Sequence, residues 1–152
     1  MDSSVRDAVR LFKRLGAKCR KTSRKYDVYS CWKGGVEARI DPREIRVVSK
    51  GDFRVEFLRL TTDDGWSDVE LEKVLSELIG SKFEINVDGS IEIRAEFPIE
   101  RMRDAVKLFN YLAENDVWVA GTNMDGELRV YKKGETIEGQ ELVEDIEKIF
   151  GG

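Results

Sequence analysis

Lys82-Phe83-Glu84-Ile85-Asn86-Val87-Asp88-Gly89-Ser90-Ile91-Glu92-Ile93-Arg94-Ala95-Glu96-Phe97-Pro98-Ile99 is the stretch that decides the fold class. Phe83, Ile85 and Val87 alternate with Lys82, Glu84 and Asn86, and Ile91, Ile93, Ala95 and Phe97 alternate beyond Asp88-Gly89. Strand side chains point to opposite faces in turn, so this period of two marks two strands with one buried face. Asp-Gly between such runs supplies the positive φ angles of a tight hairpin turn. Pro98 has no N–H to give a ladder and a φ suited to a first helical turn, so it closes the strand and opens a helix. That helix buries Ile99, Met102, Val106, Phe109 and Leu112.

Upstream lies the best-marked helix of the chain. Ser67 and Glu70 have the spacing of a capping box, Trp66 and Leu71 that of a hydrophobic staple, and Gly80 stands at the stop. Leu71, Val74, Leu75 and Leu78 supply its buried face. Earlier still, a helix from Ser4 to Leu15, capped by Ser4, buries Val5, Ala8, Val9, Phe12 and Leu15 and ends at Gly16. Between them, Val36-Ala38-Ile40 and Phe53-Val55-Phe57 alternate with charged residues. Breaks at Ser23–Lys25, Gly34-Gly35, Asp41-Pro42 and Lys50-Gly51 allow up to five short antiparallel strands. Downstream, a hairpin turns at Asp125-Gly126, and a last helix carries Leu142, Val143, Ile146 and Ile149.

The order is α, four or five strands, α, ββ, α, ββ, α. Hairpins without βαβ crossovers indicate a single α+β domain over residues 1–152, an antiparallel sheet with about four helices packed against it. One internal echo stands out. Arg6–Leu15 recurs as Arg103–Leu112 with seven of ten positions identical, although the strands that follow do not align.

Composition narrows the chemistry. The chain has 152 residues, 41% hydrophobic and 37% charged, with no histidine and a single glutamine, Gln140. Without histidine there is no His-based triad, no His zinc ligand and no neutral-pH imidazole switch. Many Lys, Arg and Glu with few thermolabile amides resemble the usage of heat-adapted, archaeal-type proteins. No apolar run reaches the ~20 residues of a membrane span and the first residues lack a signal-peptide core, so the expected place is the cytoplasm, away from membranes.

Charge is distributed unevenly. Residues 1–50 hold 14 Lys/Arg against 6 Asp/Glu, a net of +8, and residues 51–152 carry a net of −12. The excess sits in one helix and one hairpin. Arg6, Arg10 and Lys13 recur on the helix's polar face, and Lys18, Arg20, Lys21, Arg24 and Lys25 crowd the hairpin beside Tyr26, Tyr29 and Trp32. Cations interleaved with aromatics can neutralise phosphates and stack on bases, or meet an acidic protein surface. Arg6, Arg10, Lys13, Lys18, Arg20, Lys21, Arg24, Lys25 and Trp32 therefore form the candidate anion- or partner-binding face.

Other motifs fail on their chemistry. Lys50–Phe57 has the ends of an RNA-recognition signature, but Asp52 and Arg54 stand where stacking aromatics belong. Gly121 and Gly126 have P-loop spacing, but Glu127-Leu128 replaces the Lys and hydroxyl residue. A hairpin turning at Arg24–Tyr26 makes Cys19 and Cys31 cross-strand neighbours, so a disulfide there is geometrically conceivable and is tolerated in some thermophile cytosols; the expectation is two separately packed thiols. Asp63, Asp64, Asp68, Glu70 and Glu72 read as acids favouring a helix N-terminus rather than as a metal site. No cofactor is expected.

The stretch Phe83–Phe97, with Asp88-Gly89, Ile91-Glu92-Ile93-Arg94, then Phe97-Pro98 and an amphipathic helix, resembles YbjN-type regulator domains and the related type III secretion chaperone fold. The element order over residues 1–115 suits that likeness, while the extra strands before Thr61 and the ββα tail after Asn115 depart from it. The resemblance implies a noncatalytic domain that grips protein partners, often as a dimer, with no active-site residues. A protein-interaction role as regulator, adaptor or chaperone-like homodimer is thus the expected function, with an exposed patch or sheet edge near Trp32, Leu58, Leu60 or Trp118. A nucleic-acid-binding module built on residues 6–33 is the alternative.

Overall fold

A computed structural model describes residues 2–51, 61–85, 91–121 and 126–151. The strand expected at Phe53-Val55-Phe57, with Leu58 and Leu60, the Asp88-Gly89 turn and Asp125 lie outside the described residues.

The chain is α+β. Helix α1 (Ser3–Arg14) leads into strands β1 (Lys18–Lys21), β2 (Tyr29–Lys33), β3 (Val36–Ile40) and β4 (Glu44–Lys50). Helix α2 (Asp68–Ile79), strands β5 (Lys82–Ile85) and β6 (Glu92–Pro98), and a 3₁₀ turn at Ile99–Arg101 precede helix α3 (Met102–Glu114). Strands β7 (Trp118–Gly121), β8 (Leu128–Lys132) and β9 (Glu135–Ile137) and helix α4 (Gly139–Phe150) complete it. The expected strands divide into two sheets. Six run in the order β1-β2-β3-β4-β6-β5, and three in the order β7-β8-β9, with antiparallel pairing throughout both. Sequence reading allowed the tail two strands. The third, β9, follows a turn whose Lys133 and Gly134 both have positive φ, 53° and 81°.

The register puts Ile40 opposite Ile45, Ile45 opposite Phe97, and Phe83 opposite Ala95, so one face of the large sheet is apolar along each strand. Helices α1 and α3 pack on that face. The stripe that α3 buries is Ala105, Leu108, Phe109, Tyr111 and Leu112, with Met102 and Val106 at its margin, a rotation from the stripe expected. Ser67 and Glu70 form the capping box of α2, and Gly80 ends it at φ 70°. The cap of α1 is Asp2 rather than Ser4, because the Asp2 carboxylate accepts from the N–H groups of Ser4 (2.8 Å) and Val5 (3.2 Å).

Helices α1 and α3 stop in the same way. The N–H groups of Gly16 and Ala17 turn back to Lys13 and Phe12, as those of Asp116 and Val117 do to Ala113 and Leu112. The sequence echo pairs Leu15 with Leu112. The matching stops pair Leu15 with Asn115, almost one helical turn further on.

The two sheets meet where β4 ends. Ser49 Oγ donates to the Val117 carbonyl at 2.6 Å, and Gly51 N–H donates to the Ile91 carbonyl at 2.8 Å. A β-carbon on Gly51 would overlap the Val119 carbonyl oxygen, so only glycine admits this approach.

Candidate functional site

Because α1 and α3 occupy one face of the large sheet, the other is left, among the described residues, to its alternate residues. From β1 to β5 these form two cross-strand rows. One runs Arg20, Ser30, Arg39, Arg46, Glu96 and Lys82, and the other Lys18, Trp32, Glu37, Val48, Arg94 and Glu84. Directly opposed side chains sit close enough to pair. On the β4–β6 half Arg46 and Glu96 do, and the other ion pairs join residues two apart on one strand. Arg46 contacts Glu96 (3.3 Å) and Glu44 (3.6 Å), Arg94 contacts Glu92 (2.8 Å), and Lys82 contacts Glu84 (2.8 Å).

The β1–β3 half is different. Lys18, Arg20 and Arg39, and Lys50 at the end of β4, make no ion pair among the described residues, and the nearby acid, Glu37, accepts a hydrogen bond from Ser30 at 2.6 Å. The Arg20 guanidinium lies 5.7 Å from the ring centre of Trp32, a cation–π contact that holds both on this face. A depression of about 430 Å³ opens between Tyr26, Ser30, Glu37 and Arg39, and one of about 220 Å³ lies beside Trp32, Val48 and Lys50.

The residues nominated from sequence do not share one surface. Lys18, Arg20 and Trp32 lie together on the open face. Arg6, Arg10 and Lys13 sit on α1, across the sheet, where Arg10 joins Arg14, Arg103 and Asp7 around a depression of about 240 Å³. Lys21 faces the α1 side and lies 3.9 Å from Asp27, and Lys25 sits over Tyr26 in the loop between β1 and β2. Alternation in β1 is what divides them. Trp118 lies in the small sheet, stacked on Tyr131 at 4.3 Å between ring centres.

Cys19 and Cys31 correct a second expectation. They pair across β1 and β2 as the register required, but as a disulfide with Cα atoms 4.0 Å apart rather than as two thiols. Spacing located the pair. Nothing in the spacing distinguished bonded sulfurs from adjacent ones.

Other titratable groups have structural partners. Burial, then the hydrogen bond to Asp145, pushes the Tyr111 hydroxyl far above its ordinary pKa; it donates to that carboxylate at 2.7 Å. Burial works to raise Asp145, but hydrogen bonds from Lys132 (2.8 Å) and Tyr111 outweigh it and the pKa is lowered. This trio ties α3, β8 and α4 together.

The acidic run is likewise divided among tasks. Asp64 accepts from Gln140 N–H at 2.9 Å, at the start of α4, and Glu72 accepts from Ile85 N–H at 2.7 Å. Among the described residues no group of acids and cysteines is arranged to hold a metal ion, and no helix is long and apolar enough to cross a membrane. The chain matches no known family model, no curated protein and no solved structure.

Proposed function

We propose that this chain is a noncatalytic protein-interaction module, a regulator, adaptor or chaperone-like domain, working through the open face of its large sheet. One observation carries the reading: α1 and α3 pack on a single face, leaving β1–β4 to present Arg20, Trp32, Arg39, Val48 and Lys50 outward. A half-buried tryptophan ringed by polar and charged groups is the composition of a protein-binding centre and its rim. The function implied by the likeness to YbjN-type and secretion-chaperone domains agrees with it.

Nucleic-acid binding is the second reading, favoured by Lys18, Arg20, Arg39 and Lys50, which make no ion pair among the described residues. Against it, Glu37 stands among those cations and Glu44, Glu84, Glu92 and Glu96 line the rest of the same face, where they would repel a phosphate backbone extending across it. Trp32 is also the one aromatic in the two rows, and Arg20 already lies over it.

Photo-crosslinking from position 32 or 48 in the producing cell tests the proposal. The expected product is a discrete protein adduct, either a second copy or another chain, competed away by unlabelled protein. Loss of adducts from both positions, with retardation of RNA or DNA at ~50 mM salt, would transfer the assignment to nucleic acid. Five phosphate contacts to duplex DNA then predict a log–log salt slope of about −4.5.

A further inference from the structure

The two edges of the six-stranded sheet are treated differently. At β5, helix α2 lies along the rim and occupies its backbone: Ser76 Oγ accepts from Phe83 N–H and donates to the Phe83 carbonyl, both at 3.2 Å, and Glu72 accepts from Ile85 N–H. Covering an edge in this way removes a template for strand addition. At β1 no strand or helix does so among the described residues. The Thr22 N–H bond to the Val28 carbonyl (2.9 Å) continues the hydrogen-bonded pairs Arg20↔Ser30 and Lys18↔Trp32. In an antiparallel ladder the residues between such pairs turn their N–H and C=O groups the other way. Cys19 and Lys21 therefore aim theirs outward. The disulfide to Cys31 fixes Cys19, so the rim is held in strand conformation before anything binds it.

Side chains decide what can use that rim. Two copies of β1 laid antiparallel would bring Lys18, Arg20 and Lys21 of each together, and opposed like charges destabilise a strand pair. The same cations favour a strand with carboxylates at alternate positions. Lys18 and Arg20 have no ion-pair partner of their own among the described residues.

Resting on the protein-interaction reading, we infer that the β1 edge takes up an extended acidic segment of a partner protein as a seventh strand. Its main chain pairs with Cys19 and Lys21 and its alternate carboxylates meet Lys18 and Arg20. Backbone pairing supplies affinity and side-chain charge supplies selectivity.

The test uses the full chain and three ten-residue peptides at ~50 mM salt: alternating Glu-Val, alternating Lys-Val, and the Glu-Val peptide with two central prolines. Amide hydrogen exchange is followed by NMR. The inference expects the Glu-Val peptide to slow exchange at Cys19 and Lys21 at least tenfold, with no such effect from the other two. The double variant Lys18→Glu with Arg20→Glu, both exposed sites, is expected to reverse the preference between Glu-Val and Lys-Val. Equal protection by the proline peptide, protection by the protein alone through self-pairing, or no protection overturns the inference. Peptide shifts confined to Trp32 and Arg39 overturn the edge but leave the interaction reading standing. That reading falls separately, through the crosslinking result at positions 32 and 48.

Discussion

Phe12 and Phe109 meet edge to face, with ring centres 4.9 Å apart and planes at 87°, and they are the corresponding phenylalanines of the two recurring ten-residue segments. Both are fully buried. The contact joins α1 to α3 above the large sheet. Replacing either with alanine removes a large core side chain and leaves a cavity, at an expected cost of about 3–5 kcal/mol. A double-mutant cycle by urea unfolding is expected to show coupling of about 1 kcal/mol, the size of an aromatic pair. Strictly additive losses would mean that the rings do not act together.

Gly51 sits where the two sheets touch, with backbone oxygens of Val119 and Ile91 in the space a methyl group would need. Gly51→Ala is expected to destabilise the protein by about 2–3 kcal/mol, as overpacking does. Gly35, in the turn between β2 and β3, has nothing within 4 Å of the same position, so Gly35→Ala is the near-neutral control. Equal unfolding midpoints for the two variants would contradict the close approach.

Glu72 closes the β5 edge at an electrostatic cost. Burial, and after it the negative charges of Asp68 and Glu84, raise its pKa despite the hydrogen bond from Ile85. A raised folded pKa favours the native state below the unfolded value near 4.5 and ceases to do so as pH rises through the folded value. Glu72→Gln keeps an acceptor for Ile85 and drops the charge. Its melting temperature is expected to rise by about 2 °C at pH 7 and to match the parent at pH 3.5. A fall at pH 7 would show that the charge itself is needed.

Tyr111 gives the opposite end of the pH scale its sensitivity. With its pKa raised in the folded state, its contribution is complete below the unfolded tyrosine value near 10 and declines as pH rises beyond it. Tyr111→Phe is expected to cost about 1–2 kcal/mol at pH 7, from the lost bond to a charged acceptor, and to flatten the alkaline stability profile. Parallel profiles above pH 10 would remove Tyr111 from the explanation.

The Cys19–Cys31 bridge closes a short loop and staples the outermost strand of the large sheet. Its removal by the double Cys→Ser change is expected to cost about 2–4 kcal/mol. Native-state hydrogen exchange is expected to show the loss concentrated in β1 and β2, with α3 amides opening only in global unfolding.

How much of this was legible in sequence depended on how local each determinant is. The capping box at Ser67 and Glu70, the alternation of Phe83–Ile85 and of Ile93–Phe97, and the register that brings Cys19 beside Cys31 are all written within a dozen or so residues, and the structure contains each of them. The division of strands into two sheets was not legible, because it depends on the Gly51–Val119 approach between segments far apart in the chain. Neither was the scattering of the basic residues. Alternation along β1 is legible, but which of its faces the helices cover depends on where α1 packs, and that contact puts Cys19 and Lys21 on one side and Lys18 and Arg20 on the other. The roles of Asp64 and Arg101 were hidden for the same reason, since both act on helices remote in sequence.

Those two residues carry a consequence for how the chain comes apart. Arg101 donates to the Ile79 and Gly80 carbonyls at the end of α2, each at 2.6 Å, and Asp64 receives the Gln140 N–H at the start of α4, where Glu138 provides no side-chain cap. Each helix end is thus completed by a side chain from another segment. A fragment ending before residue 101, or one beginning after residue 64, leaves exposed a terminus that the whole chain satisfies. Calorimetry of the intact protein is therefore expected to give a van't Hoff enthalpy equal to the measured heat. The protein should melt as one unit, and no smaller piece should inherit its stability.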